Sequence, residues 1–477
     1  MRTQPLEATS PSTPSATHHW PWLISVGLGA LMVALAQTVL IPLLADLPRT
    51  LHTTTSNVEW LLTATLLVAA VAVPTLGRMG DMFGPRRMLL VALGTLIVGS
   101  LIAALSDNVA LLIVARCVQG ASAAVIPLGI GLLSRLLPPE RAGGAVAMIS
   151  AMLGVGGALG LPLAGLVAER YDFHMLFWIL AAGGVAALIG IARTVPESPS
   201  RSGGRLDLPG VVLLAGALVS LLLPLSQAAE WGWTSPATLG PLAGFVVLLA
   251  VFGWWQTRAA TPLVDLATLR IRPIVVTNVA SLLFGFALFA SFIGTASYVQ
   301  APKASGYGFG SSMMVSGLAM LPGGLCMLAL APVAASLIKS WGAPRTLALG
   351  GGIVAAGWLM RAVLTGSLAE IVIGTTIVGI GTGIGYAAMP SLINANTPSG
   401  QLAAANSLNT LIRSIGSSLA SAVGGSVLAA FTVSLGGFAL PSLTAYRLLF
   451  VVCGAAAVLA ATAALTIPHR QPVGQPS

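Results

Sequence analysis

At 477 residues, 56% hydrophobic and only 7% charged, with a mean hydropathy of +0.93, the chain excludes a soluble multidomain protein. Soluble domains carry about 25% charged residues, and roughly three domains of this composition would lack the polar surface to cover themselves. The net charge of +9 does not point to nucleic acid, because the basic residues are scattered through short loops between apolar runs.

Residues 1–19, "MRTQPLEATSPSTPSATHH", form a polar, Pro/Ser/Thr-rich stretch expected to be a disordered tail. The stretch lacks the short basic-then-apolar layout of a cleaved signal, so the first apolar run should be retained. Fourteen apolar spans follow, at 20–44, 58–79, 87–106, 109–133, 143–168, 174–194, 208–228, 236–257, 273–299, 308–336, 345–366, 369–394, 402–431 and 444–467. A helix of about 20 residues crosses a ~30 Å hydrocarbon core. The alternating segments of about 10 residues that build a membrane barrel are absent.

Polar breaks at 196–207 and 257–273 divide the chain into a six-helix bundle (20–194), an inserted pair (208–257) and a second six-helix bundle (273–467), with a tail at 468–477. With the N-terminus in the cytoplasm, 15 of the 22 Lys+Arg fall in tails and loops on that side, a positive-inside asymmetry that makes both termini cytoplasmic. Cys117, Cys326 and Cys453 all lie inside apolar runs without metal-ligand spacing, so neither metal nor disulfide is expected.

The two bundles echo one another. "MGDMFGPRR" (79–87) joins the second and third spans, and "LIKSWGAPR" (337–345) joins the corresponding spans of the second bundle. "VQGASAAVIP" is likewise echoed by "GIGTGIGYAAMP": Gly120 stands seven before Pro127, and Gly383 seven before Pro390. A duplicated six-helix unit whose halves rock about a midplane site is a transporter architecture.

On these residues the chain resembles the major facilitator superfamily, and more narrowly its 14-helix drug:proton antiporter branch. Gly77, Asp81, Gly84, Arg86 and Arg87 in "GRMGDMFGPRR" fit the family's loop motif. Arg116, Gln119 and Gly120 fit its fourth-span motif. Gly156, Gly160, Pro162 and Gly165 resemble the glycine/proline motif of exporters, with the proline two residues after Gly160 rather than directly after it.

Asp81 closes the second span, where a helix C-terminus disfavours negative charge, so it calls for cations or the N-terminus of another helix. Arg86 and Arg87 can supply the first. The resemblance implies the second, a latch on a helix of the opposite half. Arg116 lies about seven residues, or ~10 Å, into its span. There it either senses protonation or an anionic group, or holds backbone carbonyls to fix a helix contact.

Related 14-helix antiporters carry an Asp two before a first-span Thr; here that position is Ala36, before Gln37 and Thr38. Glu59, and after it Asp46, are the remaining candidates to exchange protons and pair with Arg116. The alternative for Glu59 is an outer-rim carboxylate of ordinary acidity. Gln37, Thr38, Asn278, Tyr298 and Arg413 are candidate cavity contacts, although Thr38 equally suits helix–helix glue and Arg413 the end of its helix. With so few fixed charges the cavity should be mostly apolar and poor at holding a dication.

The expectation is a monomeric, multi-pass plasma-membrane exporter of small amphipathic compounds, driven by protons, with no cofactor and no chemical active site. The alternative is an uncoupled facilitator or importer of one metabolite.

Overall fold

The computed structural model describes residues 19–468 apart from 42, 44–46, 199–202, 204, 265 and 436–437. Asp46 and the predicted tails, residue 19 and residue 468 aside, lie outside the described residues, as does the side chain of Glu59. Among the described residues, fifteen long helices carry the fold. They are α1 (Trp20–Thr38), α2 (Thr55–Phe83), α3 (Pro85–Ala104), α4 (Val109–Leu136), α5 (Pro139–Arg170), α6 (His174–Thr194), α7 (Leu208–Trp231) and α8 (Pro236–Gln256). There follow α9 (Arg272–Gln300), α10 (Met313–Ala329), α11 (Ala331–Trp341), α12 (Ala343–Val363), α13 (Leu368–Ala395), α14 (Leu402–Ala430) and α15 (Leu443–Leu465).

Among the described residues, 13 helices are long and apolar enough to span a membrane, and α10 with α11 makes a fourteenth. The tenth predicted span is therefore not one straight helix. It bends by 47° at Leu330 and runs on to Trp341. Pro332, in the first turn of α11, has no N–H to continue the ladder. α4 is also interrupted, by a 3-10 turn at Ala121–Ala124 just after Gly120. A β-hairpin, Thr432–Leu435 paired with Phe438–Pro441, follows α14 at a place where only a break between spans is legible.

The helix ends follow local chemistry. Thr54 caps α2 by accepting from the Asn57 N–H, and Ser367 and Glu370 form a reciprocal capping box on α13. The two echoed turns have one geometry. Gly84 (φ +110°) ends α2 and Gly342 (φ +84°) ends α11, each in a region closed to most side chains, and a proline in the next helix's first turn sets the new direction. Each turn is a single residue, so Asp81 sits in the last turn of α2 rather than in a loop.

Packing resolves into three cores. The first joins α1–α6 through residues such as Val26, Leu93, Leu96 and Phe177. The second joins α9–α15 through Phe284, Leu347, Trp358 and Phe450. In the third, Leu214, Leu218 and Leu222 of α7 pack against Phe252 of α8, Ala70 of α2 and Leu411 of α14. The inserted α7 thus lies across the α2–α14 contact. α8 is the outermost helix, with 11% of its apolar window buried. Asp207 ties the pair together, accepting from the Gly210 N–H, Trp255 Nε1 at 2.8 Å and Gln256 Nε2 at 2.8 Å.

The two bundles meet along two seams. One is α5 against α10, where small residues let the backbones approach: Gly317 packs on Pro162, Gly324 on Ala158 and Gly165 on Met314. The other is α2 against α14, closest near the Gly84 turn, where Gly77 lies on Ser407 and Gly80 on Ala403.

Candidate functional site: a buried carboxylate and a central cavity

The α2–α14 seam is closed by a charge. The Asp81 carboxylate is fully buried, and its two oxygens accept from the N–H groups of Ala403 (3.2 Å) and Ala404 (2.8 Å), in the first turn of α14. Those groups have no partner within their own helix, and the helix dipole there is positive, so the carboxylate completes both at once. Its cationic partner is Arg135, near the end of α4, itself 3% exposed. A buried ion pair stabilises only when its remaining hydrogen-bonding capacity is filled, and two backbone amides help to fill it here.

Arg86 and Arg87, the cations adjacent in sequence, do not pair with Asp81. The turn after Asp81 carries them away from the seam, towards the last turn of α6 and the segment that follows it. There the Arg86 N–H donates to Glu197 (3.1 Å), the Arg86 guanidinium to the Ala192 carbonyl (2.6 Å), and Arg87 lies 3.9 Å from Glu197. Gly84 belongs to this second cluster, since a Cβ there would stand 2.7 Å from the Glu197 carboxyl carbon. Gly131 on Ala403 and Asn394 on Ser134 extend the closed zone between the bundles.

Further along the seam the helices separate around a cavity of about 120 Å³. The first bundle contributes Gln37, Thr38, Arg116 and Gln119; the second contributes Phe292, Tyr386 and Arg413; and Leu222 of α7 completes a wall. The lining is mostly apolar, with two guanidinium groups and no carboxylate among the described lining residues.

The fourth-span motif builds one wall. Arg116 is 1% exposed; its Nε donates to the Leu61 carbonyl (3.1 Å), and Nη1 to the Ala36 carbonyl (2.9 Å) and Gln119 Oε1 (2.7 Å). Gln119 in turn donates to Ser100 (2.8 Å). The arginine thus ties α1, α2 and α4 together through backbone oxygens, and one of them belongs to Ala36, the position without its carboxylate. Gly120 lets α4 approach α2, since a Cβ there would meet the Thr65 carbonyl at 2.6 Å. In the fifth span Gly156 and Gly160 seat α5 on Leu31, Ala34 and Thr38 of α1, and the Thr38 hydroxyl lies 3.4 Å from the Gly156 carbonyl. Pro162 and Gly165 face α10 instead.

Of the five cavity contacts expected from sequence, Gln37, Thr38 and Arg413 line it and two do not. Asn278 is buried against α14, accepting from Asn409 (2.8 Å), and borders a separate small pocket. Tyr298 is fully buried in a cluster with Tyr307, Tyr446 and Phe450, donating to the Thr365 carbonyl (3.1 Å). The helix that carries them borders the cavity through Phe289 and Phe292 instead. Tyr386 was overlooked although the repeat marks it. It stands three after Gly383 as Ala123 stands three after Gly120, and both line the cavity.

A family profile described as Major Facilitator Superfamily matches residues 26–421 and, overlapping, 309–477. The tetracenomycin C resistance and export protein of Streptomyces glaucescens is 30% identical over 426 residues, covering 88% of this chain and 78% of its own. The multidrug resistance protein Stp of Mycobacterium tuberculosis is 26% identical over 412 residues, covering 86% and 76%. Among solved structures, the human organic anion transporter MFSD10 (TETRAN) superposes with a TM-score of 0.65 over 93% of this chain and 99% of its own, at 17% identity, a likeness of fold. Two echoed bundles, a buried carboxylate between them and a central cavity accord with that match, and the chain is a membrane transporter of the Major Facilitator Superfamily.

Proposed function

We propose that this transporter exports small amphipathic compounds by alternating access, coupled to protons, across a plasma membrane with the Gly84 end in the cytoplasm. The observation that carries the reading is the Asp81 carboxylate capping α14 from the opposite bundle, at one end of a central cavity. In this arrangement the cytoplasmic side is closed. Opening it means withdrawing Asp81 from two amides, and the small-residue α5–α10 seam offers the pivot. The export direction draws support from the names of the Streptomyces and Mycobacterium relatives and from the fifth-span glycine motif.

The proton carrier is proposed to be Glu59, with Asp46 second, exchanging its proton on the open side and answering to Arg116 on the closed one. A second reading has its own support. Arg116 bonds to the Ala36 carbonyl where antiporters carry an acid, and no described lining residue is a carboxylate, which suits an uncoupled facilitator of one metabolite.

Fluorescent-dye efflux from cells lacking their main pumps separates the two, comparing wild type, Asp81→Asn, Arg116→Ala and Glu59→Gln at matched membrane expression. Export that stops with a protonophore and in Glu59→Gln supports coupling through Glu59. Protonophore-sensitive export unchanged in Glu59→Gln removes Glu59. Movement down a gradient that ignores the protonophore selects the facilitator.

A further inference from the structure

We propose that the cavity is charge-selective: its ligand carries an acidic group, held by Arg413, on an aromatic or otherwise apolar body. The inference rests on reading this cavity as the transporter's substrate site. Arg413 lies mid-way along α14, is 9% exposed, and takes neither a hydrogen-bond acceptor nor a carboxylate for its guanidinium among the described residues. Its guanidinium carbon stands 4.9 Å from the centre of the Tyr386 ring. The other two span arginines differ. Arg116 is held by carbonyls and Gln119, and Arg361 donates to the hydroxyls of Ser291 and Thr295 and lies over the rings of Trp358 and Phe450, with its Nε alone left without a partner among the described residues.

A buried guanidinium left without an anion is costly, and in a membrane protein it is retained where it meets a cavity or a ligand. The neighbouring hydroxyls cannot replace it as the binding group. Ser414, Ser417 and Ser418 donate to carbonyls, so they turn lone pairs towards the cavity, which suits a donor on the ligand and not an anion. Arg413 is the cation able to grip a carboxylate, sulfonate or phenolate here with two parallel N–H bonds. Phe289, Phe292, Leu222 and Leu288 offer the apolar surface for the rest of the ligand. A cationic compound would meet two like charges and no counter-charge among the described lining residues.

The test uses purified full-length protein in phosphatidylcholine nanodiscs, with binding followed by fluorescence and corrected against empty nanodiscs. Anilinonaphthalene sulfonate and phenylnaphthylamine share one ring system and differ in the sulfonate; ethidium serves as the cation. A charge-assisted hydrogen bond contributes on the order of tenfold or more in affinity, so the sulfonate should bind wild type at least about tenfold tighter than the amine. Arg413→Gln should remove that preference while leaving the amine's affinity in place, and Arg413→Lys should retain part of it.

Equal binding of the two naphthalenes to wild type, tighter binding of ethidium, or a preference that survives in Arg413→Gln would overturn the assignment. The wild-type comparison needs no variant to fold. Failure of the exporter reading is separable. A sulfonate preference without efflux of any dye would leave the anion site and remove export, whereas ethidium efflux without that preference would do the reverse.

Discussion

The Gly84 and Gly342 turns are nearly the same backbone carrying different chemistry. Both reverse the chain in one residue of positive φ, and both are followed by a proline in the next helix's first turn. Three residues before the first stands Asp81, buried, paired with Arg135 and bonded across the bundle interface; three before the second stands Lys339, exposed. The turn occurs twice, but only one copy carries the buried charge proposed to act as a latch. A turn needs only a backbone conformation. A latch needs, in addition, a helix N-terminus and a cation brought to the same point, and no property of the turn provides these.

The comparison breaks most visibly at Asp81. Asp81→Asn leaves Arg135 buried beside a neutral amide, and breaking a buried pair costs about 3–5 kcal/mol. The expected result is a loss of most transport, together with a lower thermal midpoint for the detergent-solubilised protein. Transport at wild-type level in this variant would mean that the pair is structural furniture and that something else closes the seam.

A smaller effect is expected for Gly84→Ala. A side chain at φ +110° costs roughly 1–3 kcal/mol, and here it also crowds the Glu197 carboxylate that holds the Arg86 N–H. Transport should fall partially. Glu197→Ala in the same background should restore some of it by clearing the space, and no restoration would place the whole cost in the backbone.

The smallest effect belongs to the other copy. Lys339→Ala removes an exposed charge three residues before a turn of the same kind, and both transport and thermal stability should be unchanged within error. A clear loss there would show that the second turn also has a working partner, and the asymmetry between the halves would have to be withdrawn.

The sequence alone determined the class, the number of spans, the two echoed bundles and the position of the charged turn. These depend on local quantities: apolar run length against bilayer thickness, glycine where φ must be positive, proline where a helix begins. Asp81's need for a cation or a helix N-terminus was legible for the same reason, because a carboxylate at a helix C-terminus wants compensation wherever it can be found; the helix of the opposite half was implied only by the family resemblance. Only the tertiary structure decided which cation answers it. Arg135 is 54 residues away in sequence and Arg86 five, yet a one-residue turn projects Arg86 onto Glu197 while the α2–α4 packing brings Arg135 inside. The cavity followed the same rule. Asn278 and Arg413 are both polar residues within spans, and a helix repeats its faces every 3.6 residues, so which one looks inwards depends on how its helix is rotated against its neighbours, a quantity set by packing across both bundles.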